Sequence, residues 1–180
     1  MEKLMQSTNW TRWLLLSVVL FTAGGAAMAD PLLDFSGKPQ NVKDFTGHGK
    51  WLVVMLWASD CHVCNVEASH YVQFYEQYKT KNAGILGISM DGQAKKAEAE
   101  KFIQRHKVTF PNLIGEPLAV AQWFVDLTGA DWVGTPTFLI YNPKGELVVQ
   151  QVGAVPVNMI VDFISKHSQV KPSPEGHTDI

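Results

Sequence analysis

The apolar positions of this chain fall into short dense runs separated by polar turns, and strand-like and helix-like spacing alternate along it. Trp51-Leu52-Val53-Val54-Met55-Leu56-Trp57 is apolar at every position, the pattern of a central strand covered on both faces. From Cys64 onward, Ala68, Tyr71, Val72, Tyr75 and Tyr78 recur at helical spacing and predict a helix to about Thr80. Ile85 to Ser89 reads as a second buried strand. Ala94 to His106 reads as a second helix, with Lys95, Lys96, Glu98, Glu100, Lys101 and Arg105 forming a solvated face of mixed sign. Phe110 to Leu113 is a short extended piece and Leu118 to Phe124 a short third helix. Thr137 to Tyr141 and Leu147 to Val152 flank the turn Asn142-Pro143-Lys144-Gly145 and predict a hairpin. Val157 to His167 closes the pattern as a helix with Met159, Ile160, Phe163 and Ile164 on one face. Upstream, Asp34 to Val42 carries turn residues between short extended segments, which predicts an N-terminal β-hairpin. This order implies an α/β fold, a central mixed sheet with helices on both faces.

The two ends of the chain read differently. Lys3 and Arg12 precede the apolar run Trp13 to Phe21, and Ala27-Met28-Ala29 fits a small-residue cleavage pattern, so residues 1–29 are expected to be a signal peptide. The alternative is an uncleaved N-terminal anchor, against which stands an apolar run ending at Gly24-Gly25, short of the roughly 20 residues a spanning helix needs. The expected location is therefore periplasmic or otherwise extracytoplasmic. Residues 30–170 form the expected domain, and the polar, proline-containing 171–180 an expected disordered tail.

Composition narrows the function classes. A hydrophobic fraction of 46% and a charged fraction of 18% belong to a globular chain with a full core. The formal charge of −2 gives no basic footprint for nucleic acid, which is excluded as a main partner.

The candidate chemistry lies in the two cysteines, Cys61 and Cys64, spaced Cys-x-x-Cys where the buried strand hands over to a helix. A helix N-terminus favours the thiolate, and two thiols one turn apart can form a reversible disulfide, which points to redox exchange. The alternative is a structural staple, although a bridge across so small a loop removes little unfolded-state entropy. Cys61, the more exposed and closer to the positive end of the helix dipole, is the candidate nucleophile. Cys64, one turn further in, is the candidate resolving thiol.

A strand ending Trp57-Ala58, a Cys-x-x-Cys opening a helix, and Gly134-Thr135-Pro136-Thr137-Phe138 entering a later strand resemble the thioredoxin superfamily. Within it, the leader, the N-terminal hairpin, Val108-Thr109-Phe110-Pro111 and a Glu three residues after the second Cys resemble the TlpA/ResA/CcmG-like extracytoplasmic thiol-disulfide oxidoreductases. The resemblance runs from about Leu33 to His167. It implies a thioredoxin-like fold and a disulfide reductase acting on protein thiols and disulfides, with the Cys61–Cys64 couple in place of any added cofactor or metal. It further implies an electron donor of the DsbD/CcdA type in the membrane, and leaves apocytochrome c, another periplasmic protein or a copper-site protein open as substrate. Pro136 should be a cis proline beside the disulfide, and the Thr135 main chain should pair with an extended substrate in the manner of strand addition. Glu67 occupies the position of the family's proton-transferring carboxylate; the alternative is a surface Glu.

Other neighbours tune or line the site. His62, when protonated, would stabilise the Cys61 thiolate, or serve only as an exposed spacer, whereas the Asp60 anion would oppose it. Asp60 departs from the family, which carries an aromatic residue there, and Met55 stands where thioredoxins proper carry a buried Asp. Trp57 and Trp132 are candidate walls of the substrate groove, or core. Asn65 follows Cys64 where a c-type haem site would need His, and the residues before Cys61 lack the Pro and Thr of a peroxiredoxin. The reading from another class is a non-catalytic copper-binding or copper-delivery protein, since thiolates and imidazole suit Cu(I).

Overall fold

A computed structural model describes residues 31–168. The leader expected over residues 1–29 and the tail expected over 171–180 lie outside the described residues. Seven strands form one mixed sheet: β1 (Leu32–Asp34), β2 (Pro39–Gln40), β3 (Trp51–Trp57), β4 (Ala83–Ser89), β5 (Asn112–Gly115), β6 (Thr137–Tyr141) and β7 (Leu147–Val152). Their order across the sheet is β2-β1-β5-β4-β3-β6-β7. The β3, β4 and β5 strands run parallel, while β6 pairs antiparallel with β3, β7 with β6, and β1 with β5. The N-terminal hairpin therefore extends the sheet at its β5 edge.

The β3 strand is central for the reason its sequence gives: every residue is buried. Its alternation sends Trp51, Val53, Met55 and Trp57 to one face and Leu52, Val54 and Leu56 to the other. On the first face pack α1 (His62–Tyr78), α2 (Lys96–Arg105) and α4 (Val157–Ser168), through Cys64, Ala68, Tyr71, Phe74, Ala99, Phe102, Ile160 and Ile164. On the second packs α3 (Pro117–Thr128) through Val120 and Phe124.

Four details differ from the sequence expectation. The third helix runs to Thr128, because Pro117 starts it and Gly129, at φ 71°, caps it in the left-handed region. The extended piece at Phe110 is shifted, so that the strand proper runs from Asn112 to Gly115. A 3-10 turn over Val42–Phe45 is capped by the Asn41 side chain, a short polar stretch with no periodicity to betray it. On α4, Ile160 and Ile164 are buried but Met159 is 59% exposed, since it lies a full 100° around the helix from Ile160.

Candidate redox site

The register of the sheet brings the two sequence motifs together. Leu56 lies opposite Thr137, and Trp57 opposite Ser89, so the C-terminal ends of β3 and β4 and the start of β6 meet at one end of the sheet. Cys61 emerges there from β3, and the Thr135–Pro136 peptide, which is cis, enters β6. Pro136 is buried, Thr135 half-buried, and the Pro136 carbonyl accepts from Gly153 N–H at 2.9 Å.

Cys61 caps α1 with an extended backbone (φ −69°, ψ 111°), and its Sγ accepts the Cys64 N–H at 3.1 Å. The two cysteines form a disulfide with a Cα–Cα distance of 5.3 Å. Cys61 is half-buried, whereas Cys64 has no exposed surface. This asymmetry is what sequential exchange needs: one sulfur within reach of a partner, the other shielded behind it.

The turn that presents Cys61 is held on both sides. Cys61 N–H donates to Ala58 O at 3.2 Å. Asp91, 6% exposed, accepts Ser59 N–H at 3.0 and 3.2 Å, Ser59 Oγ at 2.7 Å and Ser89 Oγ at 2.7 Å. From the helix side, Asn65 Nδ2 donates to Ser59 O at 3.0 Å and Cys61 O at 2.9 Å, and His106 Nε2 contacts Asn65 Oδ1 at 2.9 Å. Burial, with the Arg105 charge beside it, holds the His106 imidazolium below its usual range, so the ring is neutral near pH 7. Below the site, Trp57 stacks on Phe102 at 4.3 Å, and Phe102 packs on His106 at 4.5 Å.

The remaining site candidates fall unequally. Glu67 is one quarter exposed and meets His70 Nδ1 at 3.1 Å. It also lies near the buried Tyr71 hydroxyl, which donates to Val155 O at 3.0 Å. Burial pushes Tyr71 up to about 12, with the Val155 bond opposing and the Glu67 carboxylate adding to the shift. His62 is exposed, and Asp60 is 72% exposed with Lys95 Nζ at 3.4 Å. Met55 is buried under the site and places no carboxylate there.

One groove assignment needs correction. Trp57 is 1% exposed, with its Nε1 donating to Asn112 Oδ1 at 3.0 Å, so it is core beneath the cysteines and cannot wall a groove. Trp132 is partly buried and packs edge-on against Phe124 at 5.3 Å, on the α3 face of the sheet. Its neighbour Val133, 72% exposed, is the apolar side chain presented beside Thr135.

Asp91, Asn65 and His106 were not singled out by the sequence. Only Asp91 left a usable signal, an acidic residue directly after the buried run Ile85 to Met90. Among the described residues no group of three or more His, Cys, Asp or Glu side chains is placed to hold a metal ion, so the copper reading gains no support. No helix among them is long and apolar enough to cross a membrane.

Comparison with known proteins agrees with this geometry. The AhpC/TSA family profile matches residues 24–150. The thiol-disulfide oxidoreductase ResA of Halalkalibacterium halodurans is 26% identical over 145 residues, which is 81% of this chain and 77% of that protein. The ResA of Bacillus subtilis is 26% identical over 134 residues, 74% of this chain and 69% of that protein. Among solved structures, a thioredoxin-related protein from Neisseria meningitidis serogroup B superposes with a TM-score of 0.63 at 20% identity, covering 77% of this chain and 99% of that one. A shared fold, a family profile over most of the chain and a Cys-x-x-Cys at a helix start converge: the chain belongs to the AhpC/TSA family, as a thioredoxin-like enzyme of the thiol-disulfide oxidoreductase type.

Proposed function

We propose that this protein is an exported disulfide reductase that passes two electrons from its Cys61–Cys64 dithiol to disulfides of other proteins. The observation that carries this reading is the asymmetry of the pair: Cys61 Sγ half-buried over the Cys64 N–H, Cys64 sealed behind it. In the reduced enzyme the Cys61 thiolate attacks a substrate disulfide, forming a mixed disulfide and releasing one substrate thiolate. Cys64, once deprotonated, attacks Cys61 Sγ. That step closes the Cys61–Cys64 disulfide and releases the second substrate thiolate, which is protonated.

Glu67, the carboxylate one turn beyond Cys64, is suited to take the Cys64 proton. The Thr135 main chain, ahead of cis Pro136, is suited to pair with an extended substrate segment. Val133, two residues before Thr135, and His62, directly after Cys61, are exposed and open to a partner. Regeneration calls for a dithiol donor; the leader-like N-terminus supports export, and the resemblance to the TlpA/ResA/CcmG-like enzymes supports a donor of the DsbD/CcdA type in the membrane. The reductive direction is what the resemblance to the TlpA/ResA/CcmG-like enzymes implies, and it is a matter of potential relative to the compartment.

Trapping tests the roles. Cys64→Ser should accumulate mixed disulfides, and Cys61→Ser should abolish insulin reduction; full turnover by Cys64→Ser defeats the assignment. Equilibration with glutathione tests direction: a potential near thioredoxin's, about −270 mV, supports a reductase, and one near −120 mV supports an oxidant. Glu67→Gln should shift the pH profile of reduction, and an unchanged profile removes its role.

A further inference from the structure

Asn65 grips the Cys61 carbonyl twice. Its backbone N–H donates there at 3.1 Å, the first helical bond of α1, and its side-chain Nδ2 donates there at 2.9 Å. The same Nδ2 also reaches Ser59 O at 3.0 Å. An amide nitrogen facing two carbonyls requires its oxygen to face a donor, so His106 Nε2 is the protonated ring nitrogen at that 2.9 Å contact. His106 is braced in turn by Phe102, at 4.5 Å between ring centres. The chain of contacts runs from the core to the residue bearing the reactive sulfur without touching either sulfur.

The consequence differs between redox states. In the oxidised protein the Cys61–Cys64 bond itself holds Cys61 to the helix. Once the bond is open, Cys61 is kept in place only by non-covalent contacts. The Cys64 N–H, 3.1 Å from Cys61 Sγ, then stabilises a thiolate only while the sulfur stays over it. We propose that Asn65, braced by His106, is a positioning residue that holds the Cys61 main chain so that its sulfur remains over the Cys64 N–H in the dithiol state. The proposal rests on Cys61 being the nucleophile. It acts chiefly on the reduced form, so it makes the couple more oxidising than the Cys-x-x-Cys would otherwise be.

The test is the pH dependence of iodoacetamide alkylation of the reduced protein, mapped to each cysteine by peptide mass, together with the glutathione equilibrium. Asn65→Ala should raise the Cys61 titration midpoint and lower its thiolate fraction at neutral pH about fivefold, the loss of roughly one net hydrogen bond. The same factor in the glutathione equilibrium makes the potential about 20 mV more negative. Asp60, His62 and Lys95, the exposed charges around Cys61, are unchanged in this variant. His106→Leu should shift both readouts the same way. His106→Gln, whose Nε2 replaces the imidazole donor, should restore the wild-type values, and this pair decides the matter if Asn65→Ala does not fold. Cys61 alkylation with an unshifted titration in Asn65→Ala or His106→Leu overturns the positioning role alone. Preferential alkylation of Cys64 in the wild type overturns both that role and the nucleophile assignment.

Discussion

Replacing Asp91 with Asn asks how strongly the strand-to-helix turn depends on one buried charge. The carboxylate receives the Ser59 N–H, the Ser59 hydroxyl and the Ser89 hydroxyl, all at 2.7–3.2 Å. Hydrogen bonds to an ionised acceptor contribute about 1.5–3 kcal/mol each, against about 1 for neutral ones. Asn keeps the shape and one acceptor oxygen, and turns the other edge into a donor. A serine hydroxyl can rotate to meet that donor, but the Ser59 N–H cannot. Losing the charge on three bonds would cost several kcal/mol, offset in part because a buried anion carries its own desolvation penalty. The net expectation is about 2–4 kcal/mol, a large share of the roughly 5–15 kcal/mol that holds a domain together. Urea unfolding followed by tryptophan emission measures it, and Asp91→Ala, which orphans all three donors, should lose more. An Asp91→Asn protein within about 1 kcal/mol of wild type would refute the view that charge holds this turn.

Three further expectations follow from single features. A Cβ at Gly87 would overlap Asn112 and lie 2.9 Å from Trp57 Nε1; Gly87→Ala should therefore cost about 1–3 kcal/mol by overpacking and alter Trp57 emission, and an unchanged melting curve would contradict the packing described. Lys107 has φ 51° at the end of α2, a conformation costing an L-residue about 1 kcal/mol, so Lys107→Gly should raise the melting temperature by roughly 2 °C despite glycine's freer unfolded chain. His106 titrates below its usual range when folded, so the unfolded chain binds the proton first as pH falls; stability should decline below about pH 6.5 and level off below the folded value, and His106→Gln should remove that slope in pH-dependent unfolding. Asp34 and Glu76, held low chiefly by Ser36 and Lys79, act in the separate window below about pH 4.

The fold was legible because its signals are local and strong. An all-apolar seven-residue run has few explanations besides a doubly covered strand, and β3 is one. The cysteine pair and Pro136 were legible as motifs. The clamp around them was not, because it joins residues far apart in sequence: Ser59 meets Asp91, and Asn65 meets His106. Apart from Asp91, which directly follows a buried run, nothing in the local pattern distinguishes those polar side chains from solvated ones. Trp57 misled for a related reason. Its proximity to Cys61 in sequence suggested a groove wall, but the strand's alternation turns its ring into the core, onto Phe102.

The structure also changes how the charges near Cys61 should be weighed. In sequence, Asp60 and His62 flank Cys61 with opposing effects. In space both are exposed, where charge interactions are screened by water and salt, and Asp60 already has Lys95 at 3.4 Å. The Cys64 N–H, by contrast, points at Cys61 Sγ from 3.1 Å with its residue sealed in the core. An interaction of that kind loses little to solvent, and it is fixed by backbone geometry instead of by a mobile side chain. With Cys61 as the proposed nucleophile, its reactivity should depend first on how firmly residues 58–65 hold their shape, and only second on which charged residues surround it. Raising the salt concentration should accordingly change the Cys61 titration less than removing the Asn65 side chain does.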